Sequence, residues 1–148
     1  MMANREHYAN FKRGPHYWNQ WRREHPALQP DLSRMDLSGV DLRFTNLEQV
    51  NLNHSDLTSA NLEGVNLTGA NLSLSILRSA RLAGANLTRA NLTAADLTEA
   101  DLKLADLRYA ILRVAQLSRA DLRGTRLDNA DLDGAILENV KRRKGLFG

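Results

Sequence analysis

Leucine stands at every fifth position from Leu32 to Leu137 without one exception, 22 leucines in all. On an α-helix, at about 100° per residue, leucines five apart would step by roughly 140° and smear around the cylinder. On a flat strand, with its period of two, they would alternate between faces. All of them can point inward only if the chain turns a corner about once every five residues. Four such sides close a coil of about 20 residues, and successive coils then pair as parallel strands about 4.8 Å apart. The 22 repeats make about 5.5 coils and a rod of roughly 26 Å at that spacing.

The corners carry the residues such a path needs. Two residues before the leucines stand mostly small residues, Ala60, Ala70, Ala80, Ala85 and Ala90 among them, with Val, Ser or Thr at other repeats. Six of the nine glycines lie two residues after a leucine: Gly39, Gly64, Gly69, Gly84, Gly124 and Gly134. That is the second central position of a type II turn, where φ is positive and glycine meets no steric penalty. Corners with Arg89, Glu99 or Tyr109 at this position are expected to use another turn type. The residue before leucine is mostly Asn or Asp, whose side chains hydrogen-bond neighbouring backbone in turns.

The run ADLTEADLKLADL and its neighbours resemble the pentapeptide-repeat family, whose motif is A(D/N)LXX. The resemblance covers about three quarters of the chain. It implies an all-β solenoid, a right-handed quadrilateral parallel β-helix; the handedness comes from the resemblance alone. The segment WNQWRREHPALQPDLS is similar to a leader found in cyanobacterial members.

The two ends differ from the body. Five of the eight aromatic residues precede the repeats: Tyr8, Phe11, Tyr17, Trp18 and Trp21. Asn4 can start a helix, Gly14–Pro15 breaks it, and Pro15 suits the first turn of a second helix. Tyr8/Phe11 and Trp18/Trp21 are spaced to share a face. A solenoid leaves an open sheet edge at each end, which invites aggregation unless covered. The expected organisation is therefore a helical cap over residues 1–30, the repeat β-helix over 31–140 and a basic tail over 141–148. In that tail Leu146 and Phe147 follow Lys141, Arg142, Arg143 and Lys144. They can fold back over the last coil or pair two copies into a homodimer through the C-terminal end.

Charge follows the same division. Residues 1–30 carry +3, residues 31–140 carry −4 and the tail carries +4, so the pI near 9.6 comes from the ends. A mildly acidic body of mixed sign argues against nucleic acid as a partner. There is no cysteine, hence neither disulfide nor thiolate metal site. No apolar stretch approaches the roughly 18 residues of a membrane span. The expectation is a cytoplasmic protein with no membrane contact.

No catalytic constellation emerges, and no cofactor is implied. His7, His16 and His25 are nine apart, a spacing that matches no metal-site template, and His54 stands alone on a coil side. The carboxylates are periodic, so any Asp–Asp pair follows from the repeat. The expected function is a non-enzymatic scaffold that binds an unidentified protein. Residues 20 apart should stack, and one column then reads Arg34, His54, Leu74, Ala94, Val114, Gly134. The neighbouring column reads Asp31, Asn51, Asn71, Asn91, Ile111, Asp131. Leu74, Ala94, Val114 and Ile111 would thus form an exposed apolar strip, with Ile76 around one corner and Tyr109 around the other. Contiguous apolar surface of this kind marks a candidate partner-binding site. The alternative comes from the resemblance: some acidic family members mimic DNA and bind type II topoisomerases. Such mimicry needs a dense surface of one sign, and arginines from Arg78 to Arg126 interrupt it here.

Overall fold

In the computed structural model, which describes residues 3–145, the five backbone N–H groups of a typical repeat find four kinds of partner. The repeat Ala90–Ala94 is representative. The Ala90 N–H closes the preceding corner on the Leu87 carbonyl (2.9 Å), and the Asn91 N–H reaches the Ala70 carbonyl of the coil before (2.9 Å). Leu92 and Ala94 donate forward to the Ile111 and Arg113 carbonyls of the coil after (2.7 and 2.9 Å). Only the Thr93 N–H has no backbone acceptor in reach, and the Asn91 side-chain Oδ1 takes it (3.0 Å). Asn or Asp before leucine therefore supplies the one acceptor that the stacked backbone lacks.

Every parallel bridge joins residues twenty apart, from Asp31 with Asn51 to Asp121 with Lys141. Each side contributes a one-residue bridge between corners rather than a strand of several residues. Four sides repeat along the rod. Face one holds Leu32, Leu52, Leu72, Leu92, Leu112 and Leu132; faces two, three and four begin at Leu37, Leu42 and Leu47. The leucines from Leu32 to Leu122 are buried and stack with the small residues as one core.

All 22 corner positions two after leucine take positive φ, between +51° and +72°. Arg89, Glu99 and Tyr109 do so as well, at +59°, +62° and +61°. The expectation of a second turn type at those corners is thus wrong. A left-handed non-glycine residue costs about 1–2 kcal/mol, but the corners from Leu37 to Leu132 are each closed by a backbone hydrogen bond, and those within the rod are held by stacked coils. Local preference yields to that stacking.

Before the coils lie helices α1 (Arg5–Lys12) and α2 (Pro15–Glu24). The Asn4 side chain accepts the Glu6 and His7 N–H groups at the start of α1, and Pro15 opens α2 after Gly14 at φ +95°. Trp18 and Trp21 pack together, ring centres 5.3 Å apart. Tyr8 and Phe11 both line a cleft beside the first coil; Phe11 also meets Trp18 edge-on, and Tyr8 lies under the Lys12 ammonium.

The helical region hydrogen-bonds to the first coil where a preceding coil would have been. Trp18 Nε1 donates to the Asn46 carbonyl (2.7 Å), and Asn19 Oδ1 accepts the Asn46 N–H (2.8 Å). Arg22 donates to the Glu48 and Leu28 carbonyls (2.8 and 2.7 Å). His7 Nδ1 accepts the Asp31 N–H (2.9 Å), and the Asn4 N–H reaches the Asp31 carbonyl (3.2 Å). At the other end Leu127, Leu132 and Leu137 are only partly buried. Leu146 and Phe147, assigned above to closing or pairing that end, lie outside the described residues.

Candidate interaction surface

The outward positions of each repeat are the residue before leucine and the two after it. Most of the first kind are Asn or Asp, each explained by the N–H it accepts. Ile76 and Ile111 replace that acceptor, and among the described residues the Arg78 and Arg113 N–H groups have no protein partner. A hydrogen bond worth about 0.5–1.5 kcal/mol is forgone at each site, less whatever water returns. Arg81 and Arg126 replace the acceptor too, but they recover ion pairs with Glu63 and Asp106 on the adjoining coil.

These isoleucines flank the stacked column that the repeat register brings together. Leu74 and Val114 are about half exposed, at 51% and 52%, with Ala94 half-buried between them. A Cβ added to Gly134 would meet a Val114 side-chain carbon at 2.9 Å, so Val114 leans over the next coil. Ile76 lies just past the Leu74 corner, and Ile111 starts the face that Val114 ends. Tyr109 is exposed around the other corner, its ring 5.5 Å from the Arg89 guanidinium. All six sequence-derived residues are thus on the outside, and five of the six are exposed.

Two larger apolar side chains escaped the sequence reading. Phe44 is 83% exposed and Leu104 70% exposed, both at the corner between faces three and four. Their column reads Phe44, Gly64, Gly84, Leu104, Gly124, which would have revealed them. With two glycines between them they form no patch. Val40 and Ile136 are also exposed and were left out.

Charge is distributed unevenly around the rod. Within residues 31–140, faces one and two carry eight acidic and four basic residues, while faces three and four carry seven of each. The net −4 of the body therefore lies on the two faces that bear the strip. Neighbouring charges are largely paired, as in Arg78–Asp96 and Arg119–Glu99. The hydrogen-bonded Arg43 side chain holds the Asp41 carboxyl down to about 2. Asp106 and Asp121 lie below the ordinary carboxylate range through Arg108 and Arg123 in the same way. Burial pushes Asp96 up, yet hydrogen bonds from Thr98 and the charge of Arg78 carry it below its usual value. Among the described residues no group of three or more His, Cys, Asp or Glu could hold a metal ion, and no helix is long and apolar enough to cross a membrane.

The family model described as pentapeptide repeats matches residues 36–73, 75–113 and 100–139, in eight copies. The chain belongs to the pentapeptide-repeat family. Such proteins form right-handed quadrilateral β-helices and are generally structural scaffolds. This pentapeptide-repeat chain is similar to a solved family member from the cyanobacterium Cyanothece 51142, with 25% identity and a TM-score of 0.71. That match covers 84% of this chain and 97% of the other. A family member from Nostoc PCC 7120 shows 33% identity over 63% of this chain and 84% of its own, with a TM-score of 0.44. One from the Arabidopsis thaliana thylakoid lumen shows 32% identity over 68% of this chain and 60% of its own, with a TM-score of 0.34. No curated protein sequence matches the chain.

Proposed function

We propose that this chain is a non-enzymatic scaffold that binds another protein through Leu74, Ile76, Ala94, Ile111, Val114 and Tyr109. The supporting observation is that Ile76 and Ile111 displace the acceptor that completes the repeat, leaving the Arg78 and Arg113 N–H groups without a protein partner among the described residues. The surrounding excess of carboxylates on faces one and two suits a partner with an apolar centre and a basic rim. A rod whose corners are held by hydrogen bonds loses little conformational entropy on binding, which favours this use.

In this reading residues 1–30 cap the first coil against edge-to-edge association, residues 31–140 form the binding rod, and residues 141–148 are a basic tail whose first residue, Lys141, still pairs with Asp121. A cytoplasmic location and C-terminal homodimerisation belong to the proposal and rest on sequence. The alternative role, a DNA-mimicking topoisomerase binder, requires one-sign charge, whereas arginines pair with carboxylates on all four faces. Inhibition in a gyrase supercoiling assay would reverse that ranking.

The direct test is affinity purification from the native organism with the wild-type chain and with Val114→Asp. Circular dichroism should confirm an unchanged fold. The wild type is expected to retain a partner that the variant loses. Equal retention by both would retire the strip as the binding site.

A further inference from the structure

The helical region quenches only half of the first coil. Asn46, Glu48 and Asp31 have partners there, but Asp36 and Asp41, on faces two and three, do not. Among the described residues their N–H and C=O groups, and the Ser38 and Arg43 carbonyls, have no protein partner. In the coil below, the corresponding Asp56 and Asn61 N–H groups reach the Met35 and Val40 carbonyls (both 2.9 Å), and their carbonyls accept from Leu37 and Leu42 (2.7 and 2.8 Å). The coil–coil pairing that runs down the rod thus stops at faces two and three with an unpaired edge.

Beside this edge, between it and the helices, lies a cleft of about 260 Å³ walled by Tyr8, Phe11, Trp18, Met35, Val40 and Leu42. Lys12 stands at its rim, its ammonium over the Tyr8 ring and with no carboxylate partner among the described residues. A whole coil of a second copy is barred from the site, because the ends of faces one and four are already taken. Asn4 and His7 occupy the first at Asp31, and Trp18, Asn19 and Arg22 the second at Asn46 and Glu48. A single peptide strand that turns one corner fits what remains.

We propose that this cleft binds a peptide segment of a partner protein that bends once, at the corner between faces two and three, and is paired by its main chain to Asp36 and Asp41. The segment carries two aliphatic side chains five residues apart and an acidic residue beside one of them. Three features select it. The alternating donors and acceptors call for polypeptide backbone, as in strand addition to an open edge. The cleft lies over Leu37 and Leu42, which are five apart, so aliphatic anchors at that spacing would continue the leucine columns. The unpaired Lys12 ammonium favours a carboxylate next to an anchor.

Residues 95–104 of this chain, ADLTEADLKL, occupy faces two and three in their own coil and carry Leu97 and Leu102 at the required spacing, with Asp96 beside the first. A synthetic, end-blocked peptide of that sequence is therefore a suitable probe. It should bind the full-length protein saturably and slow hydrogen exchange of the Asp36 and Asp41 amides. In the free protein those amides should exchange at least about tenfold faster than the amides of Asp56 and Asn61. Methylating the peptide's Leu97 and Leu102 nitrogens removes the main-chain donors while keeping the side chains, and should weaken binding at least about tenfold. Val40→Asp in the protein should do the same. Absence of saturable binding would overturn the proposal. So would binding that leaves the two amides unprotected, or amides already protected in the free chain, which would mean that the protein's own terminus covers the edge.

Discussion

The two ends of the rod face the same problem and treat it differently. A coil at either end has lost one neighbour, and with it a row of hydrogen-bond partners. At the start, a tryptophan, an asparagine, an arginine and a histidine from the helical region reach into that row, and Leu32 and Leu47 are fully buried. At the finish Leu127, Leu132 and Leu137 remain partly exposed. The inward leucine is the same residue in both places. What it contributes depends on whether something closes the storey above or below it.

That contrast can be broken first at its shared foundation. Leu92 lies mid-rod between buried Leu72 and Leu112, and Leu92→Asp would place an unpaired charge in the column. No soluble folded protein is expected, whereas Leu137→Asp, at the open end, should express and shift stability by no more than about 1 kcal/mol. Normal yield and an unchanged melting temperature for Leu92→Asp would contradict the inward assignment.

Removal of the closure itself should have the next largest effect. Trp18 is fully buried, packs against Trp21 and Phe11, and donates to Asn46. Trp18→Ala is expected to lose about 3–5 kcal/mol in urea denaturation. A loss below about 1 kcal/mol would show that the helices add little to the first coil.

The smallest effect spans the length of the rod. Asp36 and Asp41 near the start, and Asp106 and Asp121 further along, are all held below their ordinary values by hydrogen bonds. A depressed carboxylate stabilises the fold above its unfolded-state pKa and ceases to do so as pH falls through its folded value. The melting temperature should therefore hold from neutral pH to about 5 and decline modestly between about 4 and 2. A decline already complete at pH 5 would assign the acid sensitivity to other groups.

Much of the architecture was legible because a periodic sequence repeats one local constraint. The leucine column, the twenty-residue register, the glycine corners and the strip from Leu74 to Val114 all follow from counting. The shared corner conformation of Arg89, Glu99 and Tyr109 did not, since propensity argues against it and only the stacked coils enforce it. Phe44 and Leu104 were equally readable, as the two large apolar residues in a column otherwise made of glycine, yet their exposure emerged only in the structure.

By itself the amino-acid order determined that the chain must coil with leucine inward, since no regular helix or strand accommodates a period of five. Tertiary structure alone decided where α2 lands, that Phe11 meets Trp18 edge-on, and which half of the first coil stays open. The physical reason is that the repeat is specified by contacts copied every twenty residues, whereas the non-repeating helices dock through single, long-range side-chain contacts that no periodicity announces.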